Sequence, residues 1–269
     1  MYQPNLGLLV LGQTRRGGEY NYAFVTTNVT DKSCLSTEAN CSIFPLFRYT
    51  GHEAQAVIPG GTHPERVVNI RHELLDQLRP AYGQPVDGER VFYYTYAVLN
   101  AVGYQTRLVE QLKVEFPHVP FPRLYDGFEA MAALGRALAE VHVGNHVPNL
   151  QVPLSTTGNN VIESAAVMHR LAPQQVQING SGTAFGGITV EMWNYRVGIH
   201  QPLRDWLQGR NGRRFVLDYD TTPPDEHRQV LFDEYRELVR RVGAALPIHQ
   251  TINETWDNLV RGWRRHRPL

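Results

Sequence analysis

The sequence predicts an α+β fold: small antiparallel β elements at the start and in the middle of the chain pack with a helical middle unit and C-terminal helices. Three observations predict it. Residues 5–50 are rich in β-branched and aromatic residues and in turn-forming Gly, Asn and Asp. Residues 66–143 repeat apolar residues at the three- and four-residue spacing of helices. Residues 150–269 begin with strand-like segments and end with helix-like ones.

The first zone predicts three strands, over residues 6–13, 22–30 and 42–49. The connectors contain paired glycines, Asn and Asp, which suit tight turns, so the three strands predict a small antiparallel sheet. A polar connector over 50–64 leads to the next zone.

The middle zone predicts four helices, over 68–78 (ended by Pro80), 89–101, 104–116 (ended by Pro117) and 127–143. Between the last two helices, HVPFPRLYDG is predicted to be extended, because each proline fixes its own φ and disfavours helix at the residue before it.

The last zone predicts strands over 159–171 and 174–180, a Gly-rich turn over 180–187 and a short strand or turn over 187–198. A short helix over 200–210, a long helix over 225–245 and a separate last helix over 252–263 follow. Trp193, Tyr195 and Trp206 are predicted to pack in the core. We predict one domain over 1–269, with β-rich (1–65), helical (66–148) and mixed β then α (149–269) subregions.

Charge and hydropathy exclude some classes of partner. Lys plus Arg and Asp plus Glu are 26 each, so no global field attracts nucleic acid or an anionic membrane, and any polyanion site must be local. The basic residues are 24 Arg and 2 Lys; Arg suits phosphates and guanine edges, although codon bias explains the skew equally well. No apolar run of membrane-spanning length and no signal peptide is evident, so we expect a soluble, cytoplasmic protein without a membrane partner.

The motifs of common enzymes and metal sites are missing from the sequence. There is no Asn/Asp-Pro-Pro-aromatic string, no GxxxxGK[ST] and no GxSxG. Cys34 and Cys41 are predicted to be reduced thiols, and His142 and His146 to pack at a helix end rather than bind metal. We predict no catalytic residue, no metal site and no cofactor.

Three stretches, in order, carry a family resemblance. NLGLLVLGQ with YAFVTTNVTD and IFPLFRY comes first, FYYTYAVLNAVGYQTRLVEQLKVEFPHVPFP second and VEMWNYRVGIHQPLRDWLQGRNGRRF third. Together they resemble the C-terminal specificity region of the single-polypeptide type ISP restriction–modification enzymes and related adenine-specific DNA methyltransferases.

The resemblance implies a target recognition domain that reads an asymmetric DNA sequence. In that family, separate upstream domains supply the nuclease, the ATP- and Mg-dependent translocase and the S-adenosylmethionine-dependent methyltransferase. Their motifs are not in this sequence, so methylation and cleavage are not carried over. The sequence leaves open whether the chain is a fragment, a split specificity subunit or a relic.

A DNA reader needs hydrogen-bonding side chains for base edges and Arg, Thr, Ser or Asn for phosphates. Three groups meet that description, although each is also compatible with a solvated surface. They are Arg15, Arg16, Tyr20, Asn21, Thr27, Asn28 and Thr30 in the first zone; Asn159, Asn160, His169 and Arg170 in the last; and Arg210, Arg213 and Arg214 as a phosphate clamp.

Our leading interpretation is a non-catalytic domain that recognises double-stranded DNA in a restriction–modification or adenine methylation system, joined to methyltransferase and translocase domains or subunits. The alternatives are an adaptor that docks on a methyltransferase or defence protein, and an enzyme with an unrecognised site. DNA reading predicts salt-dependent binding that weakens when Arg15 or Arg16 is changed. An adaptor predicts a large exposed apolar patch, and an enzyme predicts a closed pocket with ionisable groups.

Overall fold

A computed structural model describes residues 4–12, 21–37, 39–50, 65–112, 115–217 and 229–263, and the predicted α+β fold is confirmed. The chain forms two compact units. The first comprises Met1–Val143 and His249–Leu269, and the second is Gly144–Ile248. The helices that are described include none with the length and apolar character of a membrane span.

The β part of the first unit is a three-stranded antiparallel sheet and a two-stranded antiparallel pair. The sheet has the order β2 (Ala23–Thr26), β1 (Gly7–Leu11), β3 (Cys41–Pro45), and the pair is β4 (Phe47–Thr50) with β5 (Glu65–Val68). The single strand predicted over 42–49 is wrong: the chain turns at Leu46, which is buried and donates its N–H to the carbonyl of Leu6 at 2.7 Å.

The helices of the first unit are α1 (His72–Tyr82), α2 (Gly88–Leu99), α3 (Val102–Arg107), α4 (Val109–Leu112) and α5 (Tyr125–Val143). The predicted start of the first helix at Val68 is wrong, because Val68 pairs with Phe47 in the β4–β5 ladder. Its predicted end is also wrong, since α1 continues past Pro80 to Tyr82 and is capped by Gly83, whose φ of 62° is the left-handed conformation that glycine favours. The helix predicted over 104–116 is divided at Leu108.

Helices α2 and α5 form the centre of the first unit. Asp87 caps α2 by accepting the N–H of Arg90 at 2.8 Å, and Tyr94 and Tyr96 inside α2 are fully buried. Gly135 of α5 lies directly against the carbonyl of Tyr93: a β-carbon at this glycine would stand 1.9 Å from the oxygen. The two helices therefore approach as closely as glycine permits.

The second unit contains a four-stranded antiparallel sheet, a parallel strand pair and three helices. The sheet order is β6 (Leu154–Ser155), β9 (Ala184–Gly186), β8 (Gln175–Gln177), β7 (Met168–Arg170). The pair is β10 (Arg214–Val216) with β11 (Gln229–Leu231), and the helices are α6 (Val190–Trp193), α7 (Pro202–Gln208) and α8 (Phe232–Trp263), whose residues from His249 onward belong to the first unit.

The core of the second unit is aromatic. Phe185 lies 4.7 Å from Tyr235 between ring centroids, and Phe215 stacks on Phe232 at 4.9 Å. The predicted core residues Trp193, Tyr195 and Trp206 pack against this cluster, which confirms their packing role.

Four predictions for this region are wrong. Of the strand predicted over 159–171, only Met168–Arg170 form a strand, β7. In its first half, the described residues form one isolated β-bridge, between Val161 and Arg214. The Gly-rich turn over 180–187 ends in strand β9, and the strand or turn over 187–198 contains helix α6, which Thr189 caps by accepting the N–H of Met192 at 3.2 Å. The long helix predicted over 225–245 begins only at Phe232, because Gln229–Leu231 form β11, and together with the predicted last helix it forms one helix, α8, which continues through Pro247.

Candidate nucleic-acid interface

The first group of predicted DNA contacts lies around β2 in the first unit. Its residues Arg15, Arg16 and Tyr20 lie outside the described residues. Asn21 stands two residues before β2, whereas Thr27, Asn28 and Thr30 follow it. Because a four-residue strand spans about 13 Å, Asn21 lies at the opposite end of β2 from the other three.

The turn after β2 is held by a side chain. The hydroxyl of Thr26 accepts the N–H of Asn28 at 3.0 Å, as is common for threonine in turns. Thr27 and Asn28 are exposed as a result, and Val29 beside them is 74% exposed. The turn therefore offers one hydroxyl, one amide and one apolar side chain to a partner.

In the second unit, Asn159 and Asn160 lie beside Arg213 and Arg214, 50 or more residues later in the chain. The N–H of Ile162 donates to the carbonyl of Arg213, and the N–H of Phe215 donates to the carbonyl of Asn160, both at 2.9 Å. Parts of two predicted groups are thus brought together in one loop cluster.

A buried amide that the sequence analysis missed, Asn179, holds this cluster together. Its Nδ2 donates to the carbonyls of Asn159 (2.7 Å) and Val161 (3.1 Å), and its Oδ1 accepts from the hydroxyl of Ser181 (2.9 Å) and the N–H of Thr183 (3.1 Å). Asn179 is completely buried. Its place before a Gly-Ser-Gly turn was the available signal, since Asn favours such turns.

The two predicted asparagines have their amide oxygens turned inward. Oδ1 of Asn159 accepts from the N–H of Val161 (3.0 Å) and from Nδ2 of Asn179 (3.1 Å). Oδ1 of Asn160 is buried and has no hydrogen-bond partner among the described residues. Reading adenine with an asparagine takes both its amide oxygen and its amide nitrogen. In this conformation, neither oxygen can reach a base, because that of Asn159 is already hydrogen-bonded and that of Asn160 is buried.

The three predicted clamp arginines have different surroundings. The guanidinium of Arg210 lies over the Trp206 ring, 3.8 Å from its centroid, and Nη1 donates to the Trp206 carbonyl at 3.1 Å. Arg213 is half-buried and Arg214 is exposed on β10. Arg210 is therefore engaged within the protein, and of the three arginines Arg214 is the most exposed.

The adjacent residues His169 and Arg170 of β7 point to opposite faces of the sheet. Nε2 of His169 lies 2.6 Å from the carbonyl oxygen of Ile188, to which it donates, and the ring stacks on Trp193. Arg170 is exposed. Side chains alternate along a strand, so only one of the two can face a partner on the outer side of the sheet.

No three His, Cys, Asp or Glu side chains of the described residues lie close enough together to hold a metal ion. Cys34 and Cys41 are free thiols, and burial raises the pKa of Cys41 to about 12. His142 has the predicted packing role: it shares a hydrogen bond with the Tyr96 hydroxyl at 2.5 Å, and burial lowers its pKa to about 3. The same prediction for His146 is wrong, because that residue is exposed. The imidazole of His142 thus packs within the first unit, whereas the two thiols are half-buried.

The family profile described as "Type ISP C-terminal specificity domain" matches residues 1–241. The chain belongs to this family. The resemblance found in the sequence is therefore confirmed. A search of curated protein sequences finds no match to this specificity domain.

Three solved structures contain a part similar in fold to the specificity domain. The DrdV–DNA complex matches with a TM-score of 0.66 and 22% identity over 93% of this chain and 24% of that one. The ATP-dependent type ISP restriction–modification enzyme LlaBIII bound to DNA matches with a TM-score of 0.63 and 17% identity, over 96% of this chain and 16% of that one. A nuclease-deletion mutant of the type ISP enzyme LlaGI, in complex with a DNA substrate mimic, matches with a TM-score of 0.57 and 15% identity, over 96% of this chain and 18% of that one. The specificity domain thus spans a quarter or less of each.

One long stretch of the specificity domain has no carboxylates. Residues 164–190 contain neither Asp nor Glu, although the whole chain has 26 in 269 residues. This stretch forms β7, β8 and β9, three of the four strands of the second unit's sheet. Glu163, just before it, has its Oε2 occupied by the N–H of Gly180 at 2.7 Å. The sequence analysis missed this feature, which is visible in the sequence as an acid-free run.

Proposed function

We propose that the chain recognises a specific sequence of double-stranded DNA within a restriction–modification enzyme, without performing catalysis and without a cofactor of its own. The observation that carries the proposal is the carboxylate-free sheet of residues 164–190. Membership of a specificity-domain family and the fold shared with parts of three DNA-bound enzymes support it. Methyltransferase and translocase domains or subunits, with S-adenosylmethionine and ATP, are its proposed partners.

The physical reason is electrostatic. The chain has a net charge of zero, so the protein as a whole does not attract DNA. A carboxylate close to the closely spaced phosphates of a duplex would be repelled, whereas Asn, Gln, Ser and Thr can hydrogen-bond to phosphates and base edges alike. The acid-free sheet carries these uncharged polar residues together with one cation, Arg170.

Selection from random duplex DNA at moderate salt, followed by sequencing of the bound fraction, tests the proposal. We expect enrichment of one asymmetric motif of about 5 to 7 base pairs, as for other specificity modules. Gln174→Glu, which places a carboxylate on the exposed hairpin between β7 and β8, is expected to weaken binding about tenfold. Gln77→Glu, the same exchange on exposed α1, is the matched control and is expected to leave binding unchanged.

A protein-docking function is the second candidate, favoured by an apolar patch on the first unit. Phe44 and Phe116 are 43% and 47% exposed, and their rings meet edge to face at 6.0 Å. Exposed apolar patches often mark protein contacts. If random-duplex selection enriches no motif, and Phe44→Ser abolishes association with the methyltransferase subunit of the same system, docking is the better description.

A further inference from the structure

The hairpin formed by β7 and β8 has an outer face that the sequence analysis did not identify. Arg170, Gln175 and Gly186 are direct neighbours across β7, β8 and β9. The next row along the strands, His169, Val176 and Phe185, faces inward: Val176 and Phe185 are fully buried, and His169 donates to Ile188. By strand alternation, Arg170 and Gln175 therefore stand side by side on the outer face.

Both side chains are available to a partner. Arg170 is exposed and Gln175 is half-exposed, and neither side chain has a hydrogen bond or ion pair with any of the described residues. Gly186, beside Gln175 in the same row, adds no side chain to this face. At the tip of the hairpin, Leu171 is 72% exposed, so a large apolar side chain also projects there.

We propose that the β7–β8 hairpin enters the major groove of the target DNA, where Arg170 and Gln175 contact the edges of the same or adjacent base pairs. This inference rests on the proposed function and names the part of the chain that reads the bases. The major groove admits a two-stranded β-ribbon; Arg pairs with O6 and N7 of guanine, and Gln with N6 and N7 of adenine. The absence of carboxylates over 164–190 lets this face approach phosphates on either side of the groove.

The spacing supports contact with neighbouring bases. The β-carbons of directly opposite residues in an antiparallel pair lie about 5 Å apart, and stacked base pairs lie about 3.4 Å apart. Two long side chains on this pair therefore reach the same base pair or the next one. His169, the other predicted candidate on β7, is hydrogen-bonded to the Ile188 carbonyl and stacked on Trp193, so it does not contact the bases in this proposal.

The test uses the full chain and selection from random duplex DNA. For Arg170→Ala we expect the selected motif to lose its preference at one G·C pair, by about 5- to 150-fold for a lost bidentate contact. For Gln175→Ala we expect a comparable loss at an A·T pair at the same or the adjacent step. Arg204→Ala removes an exposed arginine from α7 of the same unit and is expected to leave the motif intact. Thermal unfolding midpoints equal to that of the wild type show that the variants fold.

A second variant separates base reading from phosphate binding. Arg170→Lys keeps the charge but loses the planar fork, so we expect affinity for random DNA to stay near wild type while the guanine preference falls. If both Arg170 variants weaken all sequences equally, or if the wild-type motif survives both alanine changes, the hairpin does not read bases, although the proposed function stands. If the wild type enriches no motif, both the proposed function and this inference are wrong.

Discussion

Asn179 is a single side chain that joins two segments of the second unit. Its amide takes part in five hydrogen bonds, three donated to the loop at 159–161 and two accepted from the turn at 181–183. A hydrogen bond makes a net contribution of about 1 kcal/mol to stability, and buried groups that lose their partner lower the stability further. We expect Asn179→Ala to lower the free energy of unfolding by about 3 kcal/mol, measured by urea denaturation. Asn149→Ala, at an exposed asparagine, is the control, and an equal effect of the two changes would disprove the role of Asn179.

The histidines of the first unit predict a pH dependence of stability. Burial lowers the pKa of His142 to about 3 and that of His249 to about 4, and their rings lie 6.0 Å apart. In the unfolded chain a histidine titrates near pH 6.5, so below that pH the unfolded state binds protons that the folded state does not. The free energy of unfolding is therefore unaffected by these histidines above about pH 6.5 and decreases as the pH drops towards 4.

At pH 5, the free energy of unfolding should be lower than at pH 7.5 by about 2 kcal/mol for each of the two histidines. His249→Gln is expected to reduce the loss of stability between these two pH values by about that amount, as measured by urea denaturation. His146→Gln, at an exposed histidine, should leave the loss unchanged. The same pH dependence in wild type and His249→Gln would mean that His249 is not held neutral by the fold.

Among the elements, the sequence was informative where a local signal sufficed. The bounds of α2 and α5 were predicted to within two residues, because a cap such as Asp87 and the apolar period fix them locally. Strands β6 and β10 were missed, since two or three residues carry no period and their pairing depends on residues far along the chain. The two-helix prediction failed at α8, where the buried residues Ala245 and Ile252 keep the helical period across Pro247.

The pairing of α2 with α5 gives a prediction at the scale of the element. Alanine at position 135 would place its β-carbon 1.9 Å from the Tyr93 carbonyl oxygen, so the two helices must separate. We expect Gly135→Ala to lower the free energy of unfolding by about 3 kcal/mol or more, as overpacking does, despite the better helix propensity of alanine. Gly262→Ala meets nothing within 4 Å and is expected to be neutral or stabilising by up to about 1 kcal/mol. Urea denaturation of both variants compares them directly, and a neutral Gly135→Ala would contradict the close approach.

For the molecule as a whole, the candidate interface was predictable by residue type but not by orientation. Arg170 and His169 are both candidates by residue type, and that they face opposite sides follows from the pairing of β7 with β8. The inward amide oxygen of Asn159 depends on Asn179, 20 residues later in the chain. Such contacts come from tertiary packing and leave no local pattern, whereas the acid-free stretch is a property of the sequence alone.

A protein without net charge that binds DNA must do so through a local set of phosphate contacts, and the salt dependence of binding counts them. The logarithm of the binding constant falls with that of the salt concentration, by about 0.9 for each phosphate contact. We expect Arg213→Ala to lower this slope by about 0.9 and to weaken all sequences equally; the backbone bond from Ile162 to the Arg213 carbonyl does not need the side chain. Arg15→Ala and Arg16→Ala should act in the same way. Arg71→Ala, at an exposed arginine before α1, is the control for charge. If all four changes lower affinity equally, DNA binding follows net charge and no local surface is responsible.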